Sequence, residues 1–347
     1  MRICRTLLLA FFIVITGPLS AQEQEEPKPV EETPQSQPST EVPPDEGGFR
    51  IGVAVDQVFL SVNARSVSGG FVKDLTRDDF RVFEDGRLQR IVNFYSQQVP
   101  VKVVLLIDAS GSTRHNQTEI RQAALEFAEN LEPEDQVAVI TFNYQPRLIL
   151  NWTNDQSKIQ LALESIYAKG NTVLNDALYV TFDDLLRGAD GKSAVILLTD
   201  GIDTGSMVSF DESVDLALRS ESMVYVVSKL EEYWANAIYQ RQQIRSRVAI
   251  MPRELTDDYI LEMKRSLSRL ANLTGGKVLD TKAFNSLTDV YAQVAEELKN
   301  QYYLSYIPTN PTQDGTWRNI NVEVGRGGIV VRSRQGYFAD RTRSTAN

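Results

Sequence analysis

The alternation of hydrophobic and polar positions changes character twice along the chain. Residues 49–100 follow a period of two, with a two-residue Asp85-Gly86 turn between short runs, which predicts antiparallel strands and a hairpin. From Val101 to Asn300, apolar runs alternate with segments of helical period. After Asn300 the period of two returns. The pattern therefore predicts a central α/β region between two β regions.

The central region is predicted to be a doubly wound, mainly parallel sheet of the Rossmann-like type. Strands that alternate regularly with helices form such a sheet and carry helices on both of its faces. The predicted strands are 102–108, 136–143, 147–152, 193–199, 223–228 and 277–280. The predicted helices lie near 117–131, 155–167, 176–187, 211–220, 256–273 and 286–300.

The two β regions are each too small to bury a sandwich core alone. We therefore expect residues 49–100 and 301–340 to pair into one β-sandwich, with an α/β domain of residues 101–300 inserted between its strands. Two separate small β units are the alternative. The aromatic side chains of the last strands are expected in the sandwich core or at its edge: Tyr302, Tyr303, Tyr306, Trp317 and Phe338.

The N-terminal segment has the features of a secretory signal peptide. Arg2 and Arg5 precede an apolar run, and small residues precede a cleavage site after Ala21. An uncleaved anchor is the alternative interpretation. The single cysteine, Cys4, lies inside this segment, so the exported chain would contain no disulfide and no thiol ligand. We expect a signal peptide over residues 1–21, no membrane span after its removal, and a secreted or periplasmic, envelope-associated protein.

The next segment is too polar to form a core. Residues 22–48 hold eight acidic residues and six prolines against one lysine, which predicts a disordered linker, and residues 341–347 are predicted to be a disordered tail. The net charge of −10 argues against a nucleic-acid partner, because nucleic acids are bound by basic surfaces.

Small polar side chains stand at three places where predicted strands or loops end. Asp108, Ser110 and Ser112 occupy alternate positions after the first strand of the α/β region. Thr172 precedes a helix on a later loop, and Asp200 follows the apolar run "AVILLT". Ligands of open α/β sheets bind beyond the carboxyl ends of the strands, so we expect these side chains to lie together. Two carboxylates and three hydroxyls, without imidazole or thiolate, favour Mg²⁺ or Mn²⁺ over Ca²⁺.

These five residues, in this order, resemble the metal-ion-dependent adhesion site (MIDAS) of von Willebrand factor type A domains. The resemblance covers the α/β region, and the flanking strands resemble bacterial secreted proteins of the VWFA-related group. It implies that Ser110, Ser112 and Thr172 bind the metal directly or nearly so, while Asp108 and Asp200 often act through water. It also implies that an Asp or Glu side chain of a partner protein completes the coordination sphere.

Enzymatic functions are weaker hypotheses. Ser112 lies three residues from His115, the only histidine, but the G-x-S-x-G elbow of the hydrolases is absent. The Gly-Gly-Lys of residues 272–278 follows a helix and enters a strand, which is the reverse of a phosphate-binding P-loop. We therefore expect no catalytic residues.

The expected function is that of an exported, divalent-metal-dependent, adhesion-type module that captures an acidic residue of a partner protein. The alternative is a structural or assembly protein of the cell envelope, in which the metal only stabilises the loops. Residues 229–255 are predicted to be a partly helical insertion. Its arginines either steer an acidic partner or lie on a solvated helix face: Arg241, Arg245, Arg247 and Arg253.

Overall fold

The computed structural model describes residues 57–96, 99–244 and 253–340. The predicted signal peptide, acidic linker and C-terminal tail lie outside these ranges and stay predictions. Within the described ranges, no helix combines the length and the apolar character needed to cross a membrane.

The secondary structure follows the predicted alternation of strands and helices. The strands are β1 (Val58–Ser66), β2 (Phe80–Glu84), β3 (Arg87–Gln89), β4 (Ile91–Tyr95), β5 (Val101–Asp108), β6 (Gln136–Phe142), β7 (Pro146–Thr153), β8 (Lys192–Thr199), β9 (Met223–Ser228), β10 (Lys277–Asp280), β11 (Tyr302–Tyr306), β12 (Trp317–Val324), β13 (Ile329–Arg332) and β14 (Gly336–Phe338). The helices are α1 (Gln117–Glu129), α2 (Gln156–Glu164), α3 (Leu174–Val180), α4 (Phe210–Ser220), α5 (Leu230–Ile244), α6 (Asp257–Leu273) and α7 (Leu287–Lys299).

The central sheet has the order β10-β9-β8-β5-β6-β7, and all neighbours are parallel except β6 and β7. Alternate residues of β5 face opposite sides of this sheet. Leu105 and Ile107 belong to the core that contains residues of α1, α2 and α7, whereas Val104 and Leu106 belong to the core with α3, α4 and α6. Helices thus cover both faces, which explains why β8 and β9 are buried along their whole length.

Two antiparallel sheets flank this α/β part, which runs from β5 to α7. One has the order β13-β1-β11-β4 and the other β14-β12-β2-β3, and both join strands from before and after the α/β part. They enclose an apolar core that includes Leu60, Val82 and Leu304. The hairpin of β2 and β3 turns at Asp85 and Gly86, which both have positive φ, as a two-residue hairpin turn requires. The predicted fold class is confirmed.

The aromatic residues of the last strands divide between two environments. Tyr302 and Tyr306 lie in the sandwich core, as predicted. Trp317 and Phe338 instead contact each other edge to face at 5.2 Å and pack against the core of α3, α4 and α6. The reason is the period of two in β12, which sends Ile320 and Val322 inward and turns Trp317 outward.

A buried carboxylate joins the helix, the central sheet and the sandwich. Glu297 of α7 is fully buried and pairs through Oε1 with Lys277 of β10 at 2.5 Å and with Arg65 of β1 at 3.1 Å, while Oε2 pairs with Arg332 of β13. Burial alone would raise the pKa of Glu297, but the charges of Arg332 and Lys277 hold that pKa below its ordinary value. The carboxylate is therefore ionised and bound by three cations from three strands.

The insertion is partly helical, as expected, because α5 occupies its first half. The side chains of Arg241, Arg245 and Arg247 lie outside the described part of the structure, so the predicted basic surface stays a prediction there. Arg253 is paired with Glu262 at 3.2 Å and lies 4.8 Å above the ring of Tyr259.

Candidate metal centre

The first part of the candidate centre is the end of β5. Asp108 is only 1% exposed, and both of its carboxylate oxygens accept hydrogen bonds. The backbone N–H of Ser110 donates to Oδ1 at 2.9 Å, and the hydroxyl of Thr199, at the end of the neighbouring strand β8, donates to Oδ2 at 3.0 Å. The carboxylate is therefore fixed in one orientation at the carboxyl edge of the sheet.

The two serines after Asp108 lie side by side at the mouth of the site. Their hydroxyl oxygens are 2.9 Å apart; Ser110 is buried and Ser112 is exposed. The loop is held by the hydroxyl of Thr113, which donates to the carbonyl oxygens of Asp108 (3.1 Å) and Ser110 (3.0 Å). The result is a row of oxygen atoms that leads from the buried carboxylate to the surface.

The second carboxylate lies close enough to the first for their charges to interact. Burial raises the pKa of Asp108 to about 7, and the negative charge of Asp200 acts in the same direction. Burial also raises the pKa of Asp200, while the Ser112 hydroxyl, the backbone N–H of Ile202 and the positive charge of Lys229 act against that rise. Two buried carboxylates beside each other are costly when both are ionised, and a cation between them removes that cost.

Backbone hydrogen bonds attach the loop of Thr172 to both other loops. The N–H of Gly111 donates to the carbonyl of Gly170 at 3.1 Å, and the N–H of Thr204 donates to the carbonyl of Thr172 at 2.9 Å. Gly170 has φ +81°, a conformation that favours glycine, and a Cβ there would lie 2.2 Å from the ring of the exposed Tyr144, which would have to move. Thr172 is thus placed beside the two acidic loops and is itself buried.

The donor set fits a hard divalent cation. Its side-chain donors are carboxylate and hydroxyl oxygens, the ligand type that Mg²⁺, Mn²⁺ and Ca²⁺ prefer. Among the described residues, no group of three or more His, Cys, Asp or Glu side chains could hold a metal ion. A metal at this centre would therefore depend on the hydroxyls as well as on the two carboxylates, and the ligand roles stay a prediction.

The sequence does not reveal three further residues that shape the candidate metal centre: Thr199, Lys229 and Tyr144. The sequence places Thr199 at the end of a predicted strand and does not reveal that its hydroxyl donates a hydrogen bond to Asp108. Lys229 directly follows β9 and is buried beside the Asp200 loop, and Tyr144 packs on Gly170. For Lys229 the sequence shows only that it directly follows a predicted strand, and the structure is needed to place that strand beside β8. His115 is exposed on the loop that contains Ser112.

Comparison with known proteins gives a family for this region. Residues 102–251 match the model of the von Willebrand factor type A domain. An uncharacterized protein of Synechocystis sp. is 27% identical over 111 residues, which are 31% of this chain and 26% of that protein, so this chain matches about a quarter of its relative's length.

Solved structures with low sequence identity are also similar. BatB, a conserved hypothetical protein from Bacteroides thetaiotaomicron, is 15% identical over 57% of this chain and 97% of its own, with a TM-score of 0.41. A von Willebrand factor type A protein from Catenulispora acidiphila is 11% identical over 80% of this chain and 71% of its own, with a TM-score of 0.42. Similarity at this level carries no information about function. The family model and the sheet topology together lead to one conclusion: this chain contains a von Willebrand factor type A domain.

Proposed function

We propose that this chain is an exported protein-binding module that captures an acidic side chain of a partner protein through a divalent metal ion at the candidate metal centre. The observation that carries the proposal is the pair of buried carboxylates, Asp108 and Asp200, at the carboxyl edge of the sheet. Two buried carboxylates beside each other are costly when both are ionised, and a bound divalent cation would offset that cost.

Each side chain has a distinct part in this proposal. Ser110, Ser112 and Thr172 supply neutral oxygen ligands, while Asp108 and Asp200 supply negative charge from beneath, directly or through water. Because the ligands nearest to solvent are neutral hydroxyls and both carboxylates lie beneath the ion, its positive charge would be least compensated on the side that faces solvent, where Ser112 is exposed. A carboxylate from outside then completes the coordination, and the resident ion is Mg²⁺ or Mn²⁺.

Isothermal titration calorimetry on the purified protein tests the metal site. Mg²⁺ and Mn²⁺ should bind to the native protein, and Ser112→Ala and Asp200→Asn should abolish that binding. Asp211→Asn is the matched control, since Asp211 is exposed and pairs with Arg269 at the surface. Undiminished binding in both site variants, or no binding of either ion to the native protein, would refute the proposed centre.

A random peptide library displayed on phage tests the partner chemistry. Selection in Mg²⁺ followed by elution with a chelator should enrich peptides that contain Asp or Glu, and replacement of that acid by its amide should abolish binding. Enrichment of acid-free peptides would contradict carboxylate capture. A protein that binds metal, gains stability from it and selects no acidic peptide would instead fit a structural role of the ion.

A further inference from the structure

A buried lysine stands beside the two carboxylates. Ser228, the last residue of β9, is opposite Thr199 in the parallel register, and the N–H of the next residue, Lys229, donates to the Thr199 carbonyl at 2.9 Å. This contact places Lys229 next to Asp200 at the same edge of the sheet. The Lys229 side chain is only 7% exposed. Lysine is rarely buried to this extent unless a negative charge compensates it.

Glu232 compensates the charge of this lysine only in part. Glu232, in the first turn of α5, approaches the Lys229 ammonium at 3.3 Å, but its side chain is 38% exposed. The same carboxylate also accepts hydrogen bonds from Thr281 (3.0 Å) and Asn116 (3.4 Å). Solvent screens Glu232 and its oxygens are shared, so Lys229 keeps part of its charge uncompensated, and that positive charge also acts on the buried carboxylate of Asp200 and opposes the rise of its pKa.

The insertion helix holds this lysine in place. Leu230 and Ala237 of α5 form a small apolar cluster with Ile202, which lies on the loop after Asp200. Two residues of α6 complete the cluster: Tyr259 and Ile260. The Tyr259 hydroxyl also donates to the Asp203 carbonyl at 2.7 Å on that loop. Lys229 is therefore a fixed charge, because the helix that follows it is packed against the loop that carries Asp200.

We propose that Lys229 is a built-in counter-charge that sets the metal affinity of the centre. In the metal-free protein it offsets part of the negative charge of Asp108 and Asp200. When a divalent ion binds, the same ammonium repels it, so the ion is held more weakly than two carboxylates alone would hold it. This inference rests on the proposed function, since it concerns the same metal centre.

The charge balance links metal affinity to capture of the partner. When Asp108 and Asp200 are both ionised, and apart from the solvent-screened Glu232, the two carboxylates and one ammonium give the metal-free centre one net negative charge. A divalent ion would change this to one net positive charge. A carboxylate from outside restores neutrality, and the metal and that carboxylate should therefore strengthen each other's binding. Without Lys229 the loaded centre would already be neutral, and the demand for an external acid would be smaller.

Metal titration of two variants with opposite expected effects tests the proposal. Lys229→Met, which keeps the length and removes the charge, should bind Mg²⁺ roughly tenfold tighter. Glu232→Gln removes the part of the compensation that Glu232 supplies and should bind Mg²⁺ more weakly than the native protein. Lys229→Arg, which keeps the charge, should retain the native affinity. Equal or weaker Mg²⁺ binding by a folded Lys229→Met variant would overturn the proposal.

A second arm without metal separates this inference from the proposed function. In chelator, Lys229→Met should lower the melting temperature of the native protein, and this loss should largely disappear when Asp200→Asn is already present. The comparison is a double-mutant cycle that needs no metal binding. If no variant binds metal, the proposed function fails while this arm still decides the role of Lys229. An equal loss in both backgrounds would show that the lysine does not compensate Asp200.

Discussion

Replacement of Asp108 by asparagine should make the metal-free protein more stable at pH 8 while it removes metal binding. The pKa of Asp108 rises from 3.8 to about 7 in the folded protein, because the carboxylate is buried and lies near Asp200. Folding therefore favours the protonated form. Below about pH 4 the Asp108 carboxyl group is protonated in both the folded and the unfolded state, so it costs the folded state no stability. As the pH rises toward 7 the unfolded chain ionises first, and the stability of the folded state falls.

The size of this effect follows from the difference in pKa. A difference of about 3 corresponds to about 4 kcal/mol of lost stability above pH 7. Asparagine avoids this loss but retains one oxygen for the Ser110 N–H. Its NH₂ group faces the Thr199 hydroxyl, which would have to reverse its hydrogen bond at a cost of about 1–2 kcal/mol. The net expectation is that Asp108→Asn gains about 2 kcal/mol at pH 8 without metal.

The difference in unfolding free energy between the variant and the native protein can be measured by urea unfolding in the presence of a chelator at pH 5 and pH 8, with tryptophan fluorescence as the signal. The stability gap between Asp108→Asn and the native protein should widen by about 2.5 kcal/mol between the two pH values, because the cost of the altered hydrogen bond is the same at both. Added Mg²⁺ should stabilise the native protein, by about 2.7 kcal/mol at a concentration one hundred times the Kd, and leave the variant unchanged. If the stability difference between the two proteins does not grow with pH, the ionised Asp108 carboxylate does not destabilise the metal-free protein and the reasoning is wrong.

Three further predictions concern other parts of the molecule and the choice of ion. Glu297→Gln should lower the free energy of unfolding by about 3 kcal/mol because three cations lose their shared partner, whereas the exposed neighbour Glu296→Gln should change little in the same urea assay. The native contribution of Glu297 should itself be lost as the pH falls below about 4.5, where its lowered pKa places protonation. Gly170→Ala should cost about 2 kcal/mol and weaken metal binding, since alanine is strained at φ +81° and its Cβ would displace the exposed Tyr144 ring. Gly188→Ala, with φ +74° and open space, should cost only about 1 kcal/mol. Mg²⁺ and Mn²⁺ should raise the melting temperature more than Ca²⁺ at equal concentration, because Ca²⁺ usually takes more oxygen ligands than this centre offers. A larger effect of Ca²⁺ would contradict this expectation.

The central sheet could be predicted closely because its strands are buried on both faces. Such strands appear in the sequence as continuous apolar runs, so the strand predicted at 102–108 is found at Val101–Asp108 and that at 136–143 at Gln136–Phe142. The helix predicted near 176–187 is less regular. It begins at Leu174 and widens into a π-helical turn after Val180, which local periodicity does not reveal.

The candidate metal centre likewise has a part that the sequence predicts and a part that it does not reveal. The positions of Asp108 and Asp200 could be predicted because strand ends meet at one edge of a parallel sheet. The role of Lys229 beside Asp200 could not be predicted, because it depends on β9 lying beside β8 and on the burial of a long flexible side chain. Glu297 presents the same difficulty. Its partners come from strands far apart in the sequence, and a charged residue on a helix is ordinarily expected to face solvent.

The sandwich depends on strands from both ends of the chain, and this affects how the protein is made and broken down. Leu60 of β1 pairs with Leu304 on one edge, and Ala64 pairs with Val331 on the other. A chain that stops before β11 would leave both edges of β1 unpaired, and such edges recruit other chains into aggregates. The sandwich can therefore close only after β11 and β13 have been synthesised. A single proteolytic cut within α5 would have the opposite outcome, because both fragments would remain held together by the sandwich strands.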